Sequence, residues 1–188
     1  MALPLPVEPP DGAYPFTCAL KCRNMPSMKH RQKPGPRPDE PIDERFAFFR
    51  LRLDRSRIHR FGVFTDETIP RSRKVIEYTG ERINRRESRR RFLKALGLPG
   101  KPLLYLFRLS DHWAIDGSVG GSGAEYINHG CDPNLFAVTV DGHIIYKSRR
   151  RIVPGEELTV DYQYPRKGEI IRCRCGATSC RGTLNLRA

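Results

Sequence analysis

Apolar and polar positions alternate in short runs along most of this chain, and only one stretch keeps a helical spacing. Residues 48–53 (FFRLRL) alternate apolar and basic side chains, and residues 74–78 (KVIEY) form a short β-branched run before Thr79-Gly80. Both predict strands that end in turns. From Asn84 to Leu96 the chain is polar and basic, with Phe92, Leu93 and Leu96 at helical spacing and Gly97 and Pro99 as stops, which predicts the one helix. Strands follow over 101–109 and 112–115, then a glycine-rich loop over 117–123 with unusual backbone freedom. A strand pair over 135–140 and 143–148 flanks Asp141-Gly142, a strong two-residue hairpin signal. Pro154-Gly155 makes a turn before a last strand over 157–162. The pattern predicts a mostly β, β-rich α+β fold with no internal repeat.

A chain of 188 residues suits one domain of moderate size with an appendage. Ten of the 16 prolines fall in the first 41 residues, where apolar runs are too few to offset the entropy of ordering. Residues 1–45 are therefore expected to be an extended or partly disordered arm, with the folded unit beginning near Phe46. The start of the chain lacks a charged, unbroken signal sequence, and no run is long enough to span a bilayer. An intracellular protein without membrane contact is expected.

The net charge of +13 collects at Arg82 to Arg91 and Lys147 to Arg151. Scattered charge is best read as a solvated face. The run Arg85-Arg86-Glu87-Ser88-Arg89-Arg90-Arg91 is denser than solubility needs, so non-specific nucleic-acid contact is expected there.

Cys173, Cys175 and Cys180 place three thiols within eight residues. A tetrahedral structural metal needs four ligands, so a fourth must come from elsewhere, and the nearest upstream thiol is Cys131. Cys173 and Cys175, one residue apart, read better as metal thiolates than as disulfide partners. The expected site is a closed Cys₄ zinc, with Arg172, Arg174 and Arg181 offsetting its charge; the plain alternative is four unrelated buried thiols. Cys18 and Cys22, with His30 nearby, offer too few ligands and are expected to be metal-free.

The segment from Asn128 to Asn134 (NHGCDPN) resembles the signature of the SET-domain lysine methyltransferases, and the cysteine tail resembles their post-SET zinc motif. Residues 56–64 (SRIHRFGVF), 75–81 (VIEYTGE) and 155–162 (GEELTVDY) resemble further family motifs in family order. Residues 105–109 (YLFRL) and 149–152 (RRRI) point to the trithorax-like branch, so the match runs from about Phe48 to Asn185. The resemblance implies a fold of several small sheets around a threaded, knot-like core, with a SET domain over 46–164 and a zinc-binding segment over 165–188.

It also implies S-adenosyl-L-methionine as co-substrate and a lysine in a protein or peptide, with histones as candidates, as methyl acceptor. A nuclear, chromatin-associated enzyme is expected in a eukaryote, a cytoplasmic one in a bacterium, and a monomer in either. The family roles carry over to Tyr162 as principal catalytic residue and to Tyr78 as a second pocket hydroxyl. Side-chain alternation along the last strand would put Val160 beside Tyr162 in the substrate channel, where its size bears on how many methyl groups fit.

Asn128 and His129 offer an amide and an imidazole to fix the cofactor, Gly62 a close backbone approach flanked by Arg60 and Phe61, and Tyr105 a channel wall. Arg60 stands where a first glycine is usual, Gly130 where a serine is usual and Glu125 where a basic residue is usual. A basic histone tail would need an acidic groove, for which Glu81, Asp132, Glu156 and Glu157 are candidates. The reading from another class is a catalytically inactive SET-like scaffold, zinc-stabilised, that binds nucleic acid or protein; such a scaffold has no reason to keep Tyr162, Tyr78 and Asn128 together.

Overall fold

The computed structural model describes residues 42–96, 105–164, 166 and 170–186. Residues 1–41 of the arm expected over 1–45, with Cys18 and Cys22, and residues 97–104 lie outside that range.

Four small sheets account for the strands. β1 (Leu51–Arg55) and β2 (Phe61–Thr65) form an antiparallel hairpin in register from Leu51–Thr65 to Arg55–Phe61. Its loop is closed by the Ser56 N–H donating to Arg60 O at 3.1 Å. The alternation at 48–53 thus marks a strand that begins three residues late, and β2, read above only as part of a motif, is its partner.

β3 (Lys74–Tyr78) leads through Thr79-Gly80 into β4 (Glu81–Asn84). A Cβ at Gly80 would stand 2.3 Å from Asp116 O, so only glycine lets the two strands approach this closely. α1 (Arg85–Leu96) starts one residue after the expected position because Asn84 is its cap, its Oδ1 accepting from the Glu87 N–H at 2.9 Å. β5 (Leu106–Arg108) and β6 (Trp113–Asp116) complete an antiparallel sheet in the order β4-β6-β5.

A 3₁₀ turn (Ala124–Tyr126) precedes the two-residue β7 (Asn128–His129). β8 (Leu135–Val140) and β9 (His143–Ser148) form the expected hairpin, with Asp141 and Gly142 at φ 50° and 82° as a primed turn requires. β3 adds to β9, giving the order β3-β9-β8. A register shift between Lys74 and Ile76 lets the neighbours Val75 and Ile76 both reach the core.

The expected last strand over 157–162 shrinks to β10 (Thr159–Val160), parallel to β7. The reason is that its segment is bonded on two sides. Gly155 and Leu158 donate to Thr65 O and Val63 O of β2, both at 2.7 Å, while Gly130 donates to Val160 O at 3.1 Å. The buried Asn134 holds the segment from a third direction, donating to Glu156 Oε1 and Glu157 O at 3.0 and 2.8 Å and accepting from the Thr159 N–H at 2.8 Å. This three-way fixation holds the segment where a longer ladder does not. Val63, Ile127, Leu135, Ile144, Ile152 and Leu158 are fully buried around it.

Arg60 has φ 40°, the left-handed conformation that glycine adopts freely. An arginine there carries roughly 1–2 kcal/mol of backbone strain. Arg60→Gly is expected to raise unfolding stability by about 0.5–1 kcal/mol after the added freedom of the unfolded chain is subtracted. Denaturant melts measure this, and a loss of stability would mean that the arginine side chain contributes more than its backbone costs.

Candidate active site and metal centre

The 56–60 loop, β7 and the segment around β10 meet at Asn128, which is only 6% exposed. Its Nδ2 donates to Phe61 O and Glu157 Oε1, both at 2.8 Å, and approaches His59 O at 3.3 Å. Glu157 Oε1 also accepts from Ser56 Oγ at 2.7 Å. A Cβ at Gly62 would fall 2.3 Å from that same carboxylate oxygen, so Gly62 is needed for the clamp to close. The Asn128 amide nitrogen thus fixes the hairpin loop. Ser56 and Asn134, not singled out from sequence, help to hold this clamp and its segment, and Glu157, expected to face substrate, is instead the acceptor at its centre.

His129, 3% exposed, is held at both ring nitrogens. Nδ1 accepts the Tyr162 N–H at 3.2 Å, which leaves Nε2 to donate toward Cys131 Sγ at 3.4 Å. Burial pushes the imidazole pKa down, in keeping with this neutral tautomer. One side chain therefore links Tyr162 to the cysteine cluster.

Tyr162 lies beyond β10, so strand alternation does not orient it; its N–H bond to His129 and its hydroxyl, donating to Ile127 O at 2.9 Å, do. The residue is 40% exposed while its hydroxyl reaches the Ile127 carbonyl. Tyr78 is buried on β3, and its hydroxyl donates to Tyr105 O at 2.5 Å. Its ring packs on Phe107 and edge-on to Tyr146, with centroids at 5.3 and 6.2 Å. Tyr105 packs against Tyr126 at 5.5 Å.

Burial first, then neighbouring tyrosines, pushes the phenols of Tyr78 and Tyr162 well above the ordinary range. Both are neutral at working pH. Because each proton is committed to a main-chain carbonyl, each oxygen keeps its lone pairs for a second partner. Val160 is buried in the same core cluster as Tyr78 and Tyr146. Tyr105 lies near enough to Tyr162 and Arg60 for their charges to bear on one another. Tyr78 and Val160 thus share one buried cluster, and Tyr105 is tied to it through the Tyr78 hydroxyl.

The four expected thiols do converge, with Cys131, Cys173, Cys175 and Cys180 sulfurs all within 4.8 Å of one another. Cys131 Sγ lies 3.7 Å from Cys173 Sγ and 3.9 Å from Cys180 Sγ, and a zinc tetrahedron with bonds of roughly 2.3 Å needs about 3.8 Å. Each sulfur also faces at least one backbone N–H: Arg181 to Cys131, Cys175 to Cys173, Cys131 to Cys175 and Gly182 to Cys180, at 3.4–3.5 Å. Such donors suit thiolates. Burial pushes the Cys131 thiol up and the Cys173 thiol up to about 12, whereas at Cys175 the N–H groups of Cys131 and Ala177 and the neighbouring thiols outweigh burial and bring it down to about 7. The donor set fits zinc.

Of the three arginines expected to offset the cluster's charge, Arg181 is pinned nearby by two 2.7 Å bonds to Asp161. Arg174 is instead felt by His59. The acidic groove also differs from expectation. Glu81 pairs with Arg91, Glu156 with Arg150, and Glu157 serves Asn128, because each carboxylate is needed to hold the fold. Only Asp132 stays exposed without such a task. Glu125 is the carboxylate placed among the tyrosines, its Oε2 accepting the Gly123 N–H at 2.9 Å.

The small sheets with one helix fit a SET domain, and the chain belongs to that family, whose model matches residues 60–163. It is 39% identical over 137 residues to the histone-lysine N-methyltransferase trithorax of Drosophila virilis, covering 70% of this chain and 4% of that protein. It is 40% identical over 139 residues to histone-lysine N-methyltransferase set-2 of Caenorhabditis elegans, covering 72% and 9%. Against human SETD1A the identity is 39% over 145 residues, covering 75% and 8%. The chain therefore spans less than a tenth of these relatives. A chain in the solved structure of ctPRC2 in complex with H3K27me3 superposes with a TM-score of 0.58 at 30% identity, covering 63% of this chain and 15% of that one.

Proposed function

We propose that this chain transfers a methyl group from S-adenosyl-L-methionine to the side-chain amine of a lysine in a protein substrate, with histones as the substrate class. The observation that carries the reading is the pair of neutral phenols, Tyr78 and Tyr162, each with its proton parked on a carbonyl and its oxygen available as an acceptor. Relatives named histone-lysine N-methyltransferases support the substrate class and a nuclear setting.

S-adenosyl-L-methionine supplies a methyl group on a positively charged sulfur, a leaving group that needs no acid. The residues of this chain therefore have two tasks, to favour the neutral amine and to align it. A free lysine has a pKa of roughly 10.4, and a buried aromatic channel disfavours its charged form. The Tyr162 and Tyr78 oxygens orient the amine and accept weak C–H contacts from the methyl group. Alignment of this kind lowers a barrier by roughly 7–11 kcal/mol.

Asn128, through the loop it clamps, and His129, through the Tyr162 main chain, shape the cofactor side with Arg60, Phe61 and Gly62, while Tyr105 walls the channel. Cys131, Cys173, Cys175 and Cys180 would hold one structural zinc that orders residues 165–188 against the catalytic part at 46–164. Labelled cofactor incubated with a histone panel and a native lysate, followed by mass mapping, tests the proposal. Label on histone lysines supports it, and label on no protein lysine defeats it.

Val160 is smaller than the phenylalanine or tyrosine usual at this position, and its side chain carries no hydroxyl to restrain a methylated amine. The protein is expected to add more than one methyl group, and Val160→Tyr to stop after one. A time course of intact peptide masses decides, and strict monomethylation by the wild type at saturating cofactor contradicts the volume argument.

A further inference from the structure

We propose that Trp113, Arg82 and the first turns of α1 form a platform for single-stranded nucleic acid, independent of the methyl-transfer site. Trp113 is the chain's single tryptophan, yet it is 40% exposed and belongs to no core cluster. The Arg82 guanidinium lies 4.8 Å from its ring centroid. Asn84 pairs with Trp113 across the sheet, and the next residue, Arg85, donates its N–H to His112 O at 2.9 Å. The basic start of α1 is thereby fixed beside the indole.

The arginines of this helix divide into two sets. Arg90 and Arg91 bind Glu87 at 2.7 and 2.8 Å, and Arg91 also binds Glu81 and Asp116 at 2.7 and 2.6 Å. These are structural. Arg85, Arg86 and Arg89 are exposed and meet no carboxylate at ion-pair distance among the described residues. Glu87, the one acid of α1, is fully engaged by the first set, which holds its carboxyl down at about 2. Asp111, two residues before Trp113, is an exposed acid on the same turn. An exposed indole thus stands against Arg82 and beside a helix start that carries three exposed arginines.

The charge selects a polyanion, and the indole selects among polyanions. Duplex bases are stacked on one another and cannot stack on Trp113, while an acidic peptide offers no regular array of π faces. A single strand offers both phosphates for the arginines and bases for the ring.

Titrating the full chain with oligothymidylate and with oligouridylate of about 20 nucleotides, a length that spans such platforms, tests the proposal through tryptophan fluorescence and the anisotropy of labelled strands. Both strands should quench Trp113, and the tighter one names DNA or RNA as the source. Trp113→Ala should weaken single-strand binding about tenfold, in line with the loss of one stacked base, and Trp113→Phe should restore most of it. Arg85→Gln with Arg86→Gln should lower the slope of log affinity against log salt by about 1.4, as two phosphate contacts require. Absence of quenching, equal affinity for duplex or polyglutamate, or unchanged binding by Trp113→Ala overturns the proposal.

Discussion

Replacing Cys131 with serine is expected to release the zinc, loosen residues 170–186 and stop turnover. Cys131 is the one proposed ligand from outside the tail, and its sulfur accepts from Arg181 N–H while its own N–H faces Cys175. Structural zinc is worth roughly 10–16 kcal/mol in small zinc-folded peptides, so losing one of four ligands should cost metal affinity by far more than tenfold. The effect should reach the active site through His129, which touches Cys131 on one side and the Tyr162 main chain on the other. Elemental analysis, limited proteolysis of the tail and turnover together measure it, with Cys18→Ser as a control that changes none of them. A Cys131→Ser protein with one zinc and full turnover would refute both the ligand set and the link.

Tyr162→Phe is the second large effect. The hydroxyl makes one bond, to Ile127 O, so its removal should cost about 1 kcal/mol of stability and leave the fold intact. Turnover should fall roughly 10²–10³-fold, the usual scale for losing one donor or acceptor aimed at a reacting centre, with cofactor affinity largely kept. Because burial holds the Tyr162 and Tyr78 phenols above their ordinary range, the wild-type rate should rise with pH as the lysine deprotonates and show no fall from tyrosine ionisation up to about pH 10. Full single-turnover activity in Tyr162→Phe would remove the catalytic role.

Local chemistry was legible and non-local chemistry was not. The β8–β9 hairpin followed from alternation around Asp141-Gly142, and α1 from its spacing and stops. The four cysteines could be grouped because a metal fixes their number. β7 carries no strand signal, and the strand expected over 157–162 shrinks to the two residues of β10, since the segment is held by Asn134 and β2 instead of by a longer ladder. The orientation of Tyr162 comes from His129 and Ile127, so the alternation argument reached the right neighbourhood by a route that the structure does not follow. The acidic residues near the motifs looked available for substrate because sequence does not show which arginine or amide already holds each carboxylate.

The most direct test is to mix zinc-loaded protein with isotope-labelled S-adenosyl-L-methionine and core histones, then locate the label by fragmentation mass spectrometry, with Tyr162→Phe in parallel. The expected result is labelled methyl on a lysine side-chain nitrogen with the wild type and almost none with the variant. Zinc-loaded wild type that binds the cofactor yet labels no lysine, or labels it equally well without the Tyr162 hydroxyl, would contradict this account.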